Sequence, residues 1–200
     1  FSGICINDDG AVTFEASTVT KKRGIWSNGS GPLLNRAITA DVLVGTAAMN
    51  TFSDFRIMPS GESAFTTKVN GGGVTAANDV ALLAEFDASS NSLVAYEGDA
   101  AADGMGATIR QFFEPAVSQS ASTNYVIYPA RLVTGGASTA TTSNDTGIWF
   151  FDADAAAGSD LMVRESQSVD AIPSLTYGNI SQRAVTGGSN QAYVFTSRLL

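Results

Sequence analysis

The feature that most constrains this chain is a cassette of two short apolar segments that occurs three times. In each copy the first segment ends on a bulky residue, and these residues are Trp26, Leu83 and Trp149. A polar turn then leads to the second segment. The copies span residues 21–26 with 33–36, 78–83 with 93–97, and 144–149 with 161–165. Because a unit repeated at this spacing buries its apolar face on its neighbours, the cassette predicts a repeat fold.

Two more predicted strands precede each cassette. The first alternates apolar residues, and the tight turn after it spans residues 7–10, 58–61 or 118–121. Gly10 and Gly61 favour the positive φ that hairpin turns need. The second strand carries an aromatic residue in every copy, namely Phe14, Phe65, Tyr125 and, in an incomplete fourth copy, Tyr193. The sequence predicts a single repeat domain with units at about 1–51, 52–111 and 112–176 and a half unit at 177–200.

These units predict an all-β fold. Short strands bounded by Gly, Asn, Asp and Ser clusters are typical of all-β chains, and no segment has a helical pattern. A β-sandwich has similar strand spacing, but it does not require one bulky residue at the same place in every four-stranded unit. Radially arranged blades do. We therefore predict four-stranded antiparallel units in a β-propeller-like arrangement, with about three and a half blades in this chain.

The predicted number of blades implies partners. Propellers typically have about 4–8 blades, and an unclosed set leaves strand edges and a blade face exposed. We expect the missing strands to come from other protein chains or from the remainder of the same polypeptide. The protein is then an oligomer or a fragment of a larger assembly.

The charge balance excludes several partner classes. The 19 acidic and 11 basic residues give a net charge of −8, which repels nucleic-acid phosphates and anionic membrane surfaces. No apolar run approaches the roughly 20 residues of a membrane span. The low charged fraction, 15%, and the hydroxyl-rich strands favour an extracytoplasmic location, either secreted or at the cell surface.

The repeat also resembles a known one. Residues 7–14, and residues 73–83 followed by 93–99, are similar to a repeat of secreted bacterial proteins. That repeat has the pattern N-x-x-G-x-V-A-F, then N-D-x-G/A-I/L-W, then L-V-A-R-E-G-D. The resemblance implies tandem β-repeats, propeller-like, in exported or surface-anchored proteins without an assigned activity. Only the second copy keeps the Gly-Asp step, at Gly98 and Asp99.

Candidate catalytic groups are few. The chain has no histidine, which excludes a Ser-His-Asp triad and histidine-metal sites, and Cys5 has no imidazole to activate it. Paired carboxylates such as Asp8 with Asp9, or Glu97 with Asp99, are the remaining option, as in glycoside hydrolysis. Neighbouring acids on a turn are usually solvated. We therefore predict no catalytic residue, and a glycoside-hydrolase-type propeller enzyme is only the second alternative.

Calcium is the one cofactor that the sequence suggests. Asp152, Asp154 and Asp160 surround Gly158 in a predicted turn, and calcium prefers such hard oxygen ligands. The turn lacks the spacing and late glutamate of an EF-hand. A solvated acidic turn is the other interpretation.

A final set of polar residues lies at one position of the repeat. Glu97 and Glu165 occupy the same place in two copies, and Arg164 precedes the second. We predict polar contacts between adjacent blades there, with ligand contact as the alternative. The leading function is a non-enzymatic extracytoplasmic structural or interaction module, a part of a surface assembly or filament. The alternative is an extracellular glycan- or calcium-binding module.

Overall fold

The all-β prediction is confirmed. A computed structural model describes residues 2–29, 31–87, 90–102, 106–120, 123–152, 158–187 and 192–200. Within these residues the regular elements are β-strands, and their pairings are antiparallel. No helix in this part of the chain is long and apolar enough to cross a membrane.

The described strands form four sheets in chain order. The first contains β1 (Ser2–Ile6), β2 (Val12–Ser17), β3 (Arg23–Ser27) and β4 (Leu34–Ile38). The second contains β5 (Val42–Val44), β6 (Ala47–Ile57), β7 (Ser63–Asn70), β8 (Val80–Asp87) and β9 (Ser90–Tyr96). The third contains β10 (Ile109–Phe112), β11 (Ala116–Ser120), β12 (Thr123–Leu132), β13 (Thr146–Asp152) and β14 (Ser159–Arg164), with β10 and β11 both paired to β12. The fourth contains β15 (Ser168–Val169), β16 (Ile172–Gly187) and β17 (Ala192–Leu199).

The sheets divide the chain earlier than the predicted units do. The first sheet ends at Ile38 and the second begins at Val42, ahead of the bound placed near residue 51. The cause is the length of the first main strand. β6 already begins at Ala47, and its early part pairs with the far end of β7, where Ala48 lies opposite Asn70.

The bulky cassette residues occupy equivalent positions in the first three sheets. Each lies opposite an aromatic residue of the preceding strand. The pairs are Trp26 with Phe14, Leu83 with Phe65, and Trp149 with Tyr128. Beside each bulky residue the register of the next strand shifts, in β4, β9 and β14. β-Bulges are specific features that bend a strand, and the first three sheets share this one at the same place.

The structure corrects the aromatic position of the third copy. Tyr128, rather than Tyr125, lies opposite Trp149. The predicted turn at 118–121 has no glycine, and β11 instead continues to Ser120. The hairpin is therefore longer than in the first two copies. As a result, the residue opposite Trp149 lies further along β12 than Tyr125.

The last cassette strand of the first copy differs from those of the later copies. Asn35 lies opposite Trp26, whereas Leu93 and Leu161 lie opposite Leu83 and Trp149. In the fourth sheet the backbone of Tyr193 pairs with Thr186. The side chain of Tyr193 lies outside the described residues.

Three apolar clusters lie between consecutive sheets. The first cluster contains Ile25 and Leu83, the second contains Leu82 and Trp149, and the third contains Ile148 and Ile180. The cassette residues Leu83 and Trp149 thus pack towards the preceding sheet, while the neighbours Leu82 and Ile148 pack towards the following one. Trp149 is fully buried, and burial of a side chain of this size contributes about 2–3 kcal/mol.

A glycine two residues before each tryptophan allows the ring to lie on its own strand. A Cβ on Gly147 would lie 2.8 Å from the Trp149 ring, and one on Gly24 would lie 2.9 Å from the Trp26 ring. The Gly-x-Trp spacing is therefore a packing requirement, since no other residue leaves room for the flat ring.

Candidate functional site at the sheet junctions

The chain passes from one sheet to the next through the same turn three times. Ala40, Gly98 and Ser166 each have a positive φ, of 77°, 90° and 64°. The backbone N–H of each donates to a carbonyl oxygen at the start of the next sheet, at 2.8, 2.8 and 2.6 Å. The Gly-Asp step of the second copy therefore serves backbone conformation, because glycine adopts positive φ without the strain that alanine and serine bear.

The residue before each turn caps the third main strand of its own sheet. In the first sheet Thr39 Oγ1 accepts the Arg23 backbone N–H at 3.2 Å. In the third, Glu165 Oε2 accepts the Thr146 backbone N–H at 3.3 Å. In the second, Glu97 makes the corresponding bond with the Val80 backbone.

Glu165 also reaches the following sheet. Its Oε1 accepts the backbone N–H of Ile180 on β16 at 3.2 Å. One carboxylate thus bonds both to its own sheet and to the next one. Arg164, beside it, donates its backbone N–H to Gln167 Oε1 at 3.0 Å.

Glu97 lies in an open cleft between the second and third sheets. Lys68 and Asp79 line one side of the cleft, and Phe112 of β10 lines the other. Lys68 Nζ donates to Asp79 Oδ2 at 3.0 Å. Glu97 is only 5% exposed, and its burial, with the Asp79 carboxylate as the next cause, raises its pKa to about 7. The carboxyl is therefore partly protonated at neutral pH.

The next junction repeats this arrangement. Arg131 lies opposite Thr146, as Lys68 lies opposite Val80. Arg131 Nε lies 3.7 Å from Asp145 Oδ2. Burial is again the main cause of the raised pKa of Glu165. The same set, one basic side chain with two carboxyl groups, therefore recurs one sheet later.

The first junction is held by a different ion pair. Arg36 of β4 and Glu85 of β8 approach to 2.8 Å, with side chains 8% and 2% exposed. Burial raises the pKa of Glu85, and the Arg36 charge opposes that rise. Ser63 Oγ donates to Glu85 Oε2 at 3.3 Å and lies 3.0 Å from Thr13 Oγ1 of the first sheet. This buried polar chain links two sheets.

In the second and third copies, the asparagine of the cassette's Asn-Asp pair closes the loop before its strand. Asn78 Oδ1 accepts the Thr75 backbone N–H at 2.7 Å, and Asn144 Oδ1 accepts the Thr141 backbone N–H at 2.6 Å. The aspartates that follow are Asp79 and Asp145, which pair with the basic side chains of the junctions. The motif therefore has a structural role in both copies.

The predicted calcium turn lies mostly outside the described residues. Asp152 ends β13 and Asp160 is exposed on β14, whereas Asp154 falls in the segment that is not described. Across the described chain, no three His, Cys, Asp or Glu side chains are grouped to hold a metal ion. Calcium binding by this turn stays a prediction.

At the junctions, side-chain oxygens accept hydrogen bonds from backbone N–H groups at the ends of strands. The carboxylate oxygens of Glu97 and Glu165 accept main-chain N–H groups. Sequence reasoning found both glutamates but missed Lys68, Asp79 and Thr39. The Asn-Asp pair at residues 78–79 could have pointed to Asp79. Thr39 could not be found in this way, because it stands at the position where the later copies have a glutamate.

Comparisons with known proteins give a family and no activity. The model of a family of unknown function, DUF7453, matches residues 1–199. Neither a curated protein nor a solved structure matches the chain.

Proposed function

We propose that this chain, which belongs to the DUF7453 family of unknown function, is a non-enzymatic structural module. It assembles with other protein chains outside the cytoplasm, as part of a surface assembly or filament. Its role is to present stacked antiparallel sheets whose ends join to further sheets.

The recurrence of the buried acids carries the proposal. An active site is a single constellation, whereas the base-acid-acid set occurs at two successive junctions and a threonine does the capping at another. Glu165 bonds to two sheets at once. The bonds of Glu165 to two sheets thus give its buried carboxyl group a structural role, which is the alternative to a catalytic one.

A β-propeller-like arrangement is part of the proposal. Three junctions use the same positive-φ turn and the same backbone bond to the next sheet. A constant turn gives a constant rotation between successive sheets, and repeated rotation leads to a ring or an open spiral. The bulky cassette residues that fill the space between sheets fit blades of this kind.

The test is the size and shape of the purified protein. We expect species heavier than the 20.6 kDa chain in sedimentation velocity, with rings or filaments in electron micrographs. A homogeneous monomer at every concentration would overturn the assembly role. Hydrolysis of a panel of glycosides that is lost in both Glu97→Gln and Glu165→Gln would instead favour an enzyme.

A further inference from the structure

The chain contains the dipeptide Asn-Gly twice, in two different surroundings. Asn70 and Gly71 lie where β7 ends and the loop to β8 begins. Asn28 and Gly29 directly follow β3. Because glycine has no Cβ, the backbone nitrogen of the glycine can approach the preceding asparagine side chain closely. The two dipeptides therefore share one intrinsic chemistry, and any difference between them comes from the fold.

The side chain of Asn70 is exposed and is not held by hydrogen bonds. Asn70 is the last residue of β7 and is open to solvent. Its amide group makes no hydrogen bond to the residues that the structure describes. The loop that follows starts at Gly71 with a positive φ of 82°, a conformation that glycine adopts without strain. The amide group of Asn70 can therefore rotate towards the Gly71 nitrogen.

Asn28, in contrast, is held through both its side chain and its backbone. Its Oδ1 accepts the Val12 backbone N–H at 2.6 Å, and its own N–H donates to Val12 O at 3.1 Å. The Gly29 N–H, which carries the nitrogen that would have to reach the side chain, donates to Ser27 Oγ at 3.2 Å. Gly29 also packs on Gly61 of the second sheet, where a Cβ on Gly61 would lie 2.7 Å from Gly29 Cα. Attack on the Asn28 side chain would require these contacts to break.

We propose that Asn70 is a site of spontaneous deamidation and that the fold protects Asn28 from the same reaction. The Gly71 backbone nitrogen attacks Asn70 Cγ, and the bond from Cγ to the side-chain nitrogen breaks. The proton of the Gly71 N–H leaves with that nitrogen as ammonia, and the product is a cyclic succinimide. Water then opens the ring at either carbonyl group, which gives aspartate or isoaspartate and releases a proton. Water is the only other reactant.

The reaction changes the charge near the junction of the second and third sheets. Each event adds one negative charge to a chain whose net charge is −8. Residues two apart on a strand point to the same face, so an aspartate at position 70 lies on the face of β7 that carries Lys68. Lys68 pairs with Asp79, and the new carboxylate offers its ammonium group a second partner. This inference goes beyond the assembly role and does not depend on it.

The test follows both asparagines in the purified wild-type chain during incubation in mildly alkaline buffer. Peptide mapping by mass spectrometry measures the deamidated fraction at each position, and enzymatic methylation detects isoaspartate. Asn70→Gln is the matched variant, because the longer side chain must close a larger ring and the exposed position has room for it. A parallel incubation in urea removes the fold, so it measures the intrinsic rate at each asparagine.

In the folded protein we expect Asn70 to react about 30-fold faster than Asn28, the ratio that corresponds to two hydrogen bonds that must first break at Asn28. In urea the two asparagines should react at similar rates, because each is followed by glycine. Isoelectric focusing of folded wild type should show an acidic species that grows with time. Asn70→Gln should lack that species.

Three results would overturn the inference. The first is an equal rate at the two asparagines in the folded protein, or a faster reaction at Asn28. The second is a folded protein in which neither asparagine reacts although both react in urea, because Asn70 would then be protected as well. The third is an acidic species that persists in Asn70→Gln, which would place the reaction elsewhere in the chain. All three leave the assembly role intact, since sedimentation tests it separately.

Discussion

Protonation of Glu97 should make this protein more stable in mild acid. Its pKa rises from the usual 4.5 to about 7 on folding, because the side chain is buried and faces Asp79. Between those pH values the folded chain holds a proton that the unfolded chain releases. The free energy of unfolding is therefore highest below pH 4.5 as far as Glu97 is concerned, and it falls as the pH rises through 7.

The size of the effect follows from the two pKa values. Each pKa unit corresponds to about 1.4 kcal/mol, so a rise of this size predicts about 2.5 kcal/mol between pH 5 and pH 8. Water entering the open cleft and relaxation of the ionised side chain reduce this to roughly 1–2 kcal/mol. Glu97→Gln removes the titration, and its amide oxygen still accepts the Val80 N–H.

The assay is urea unfolding followed by tryptophan fluorescence at pH 5 and pH 8. Glu97→Gln should match wild type at pH 5 and exceed it by roughly 1–2 kcal/mol at pH 8. The control is Glu114→Gln, the same change on a side chain that is 62% exposed and pairs with Arg56, which should change the free energy of unfolding by at most about 1 kcal/mol. Glu85 and Glu165 titrate in both proteins and cancel. Equal pH dependence in wild type and Glu97→Gln would refute the reasoning.

Three further changes test the packing and the junctions by denaturant unfolding. Gly147→Ala should cost about 1–3 kcal/mol through overpacking against the ring above it, whereas Gly31→Ala, with open space around it, should be nearly neutral; equal effects would contradict the Gly-x-Trp requirement. Arg36→Ala leaves Glu85 buried without its ion pair and should cost about 3–5 kcal/mol, and a loss below about 1 kcal/mol would show that the pair is dispensable. Ala40→Gly should stabilise the protein by roughly 0.5–1 kcal/mol by relieving a positive φ, so destabilisation would contradict the turn assignment.

The cassette was readable from the sequence because one physical requirement recurs in it. A bulky residue lies opposite an aromatic residue of the preceding strand in each of the first three sheets, so Trp26, Leu83 and Trp149 repeat within similar polar turns. The shift from Tyr125 to Tyr128 was not readable, because residues 125–128 form a continuous apolar run in which no alternation shows which tyrosine lies opposite Trp149. Register there depends on the length of the hairpin, which pairing across the sheet sets.

The candidate site also has features that the sequence shows and features that only the structure shows. The repeat position of Glu97 and Glu165 was visible, since both follow the last cassette strand. Their bonds to backbone groups, and the approach of Lys68 to Asp79, join residues from different strands. No local pattern reports such contacts.

The sequence by itself determined an all-β chain of short strands, because alternation and turn residues are local signals. Only the tertiary structure decided where each sheet begins and which carboxyl groups are buried. Those properties depend on how sheets pack against one another. Desolvation and packing are set by neighbours distant in the chain, which no single stretch of sequence specifies.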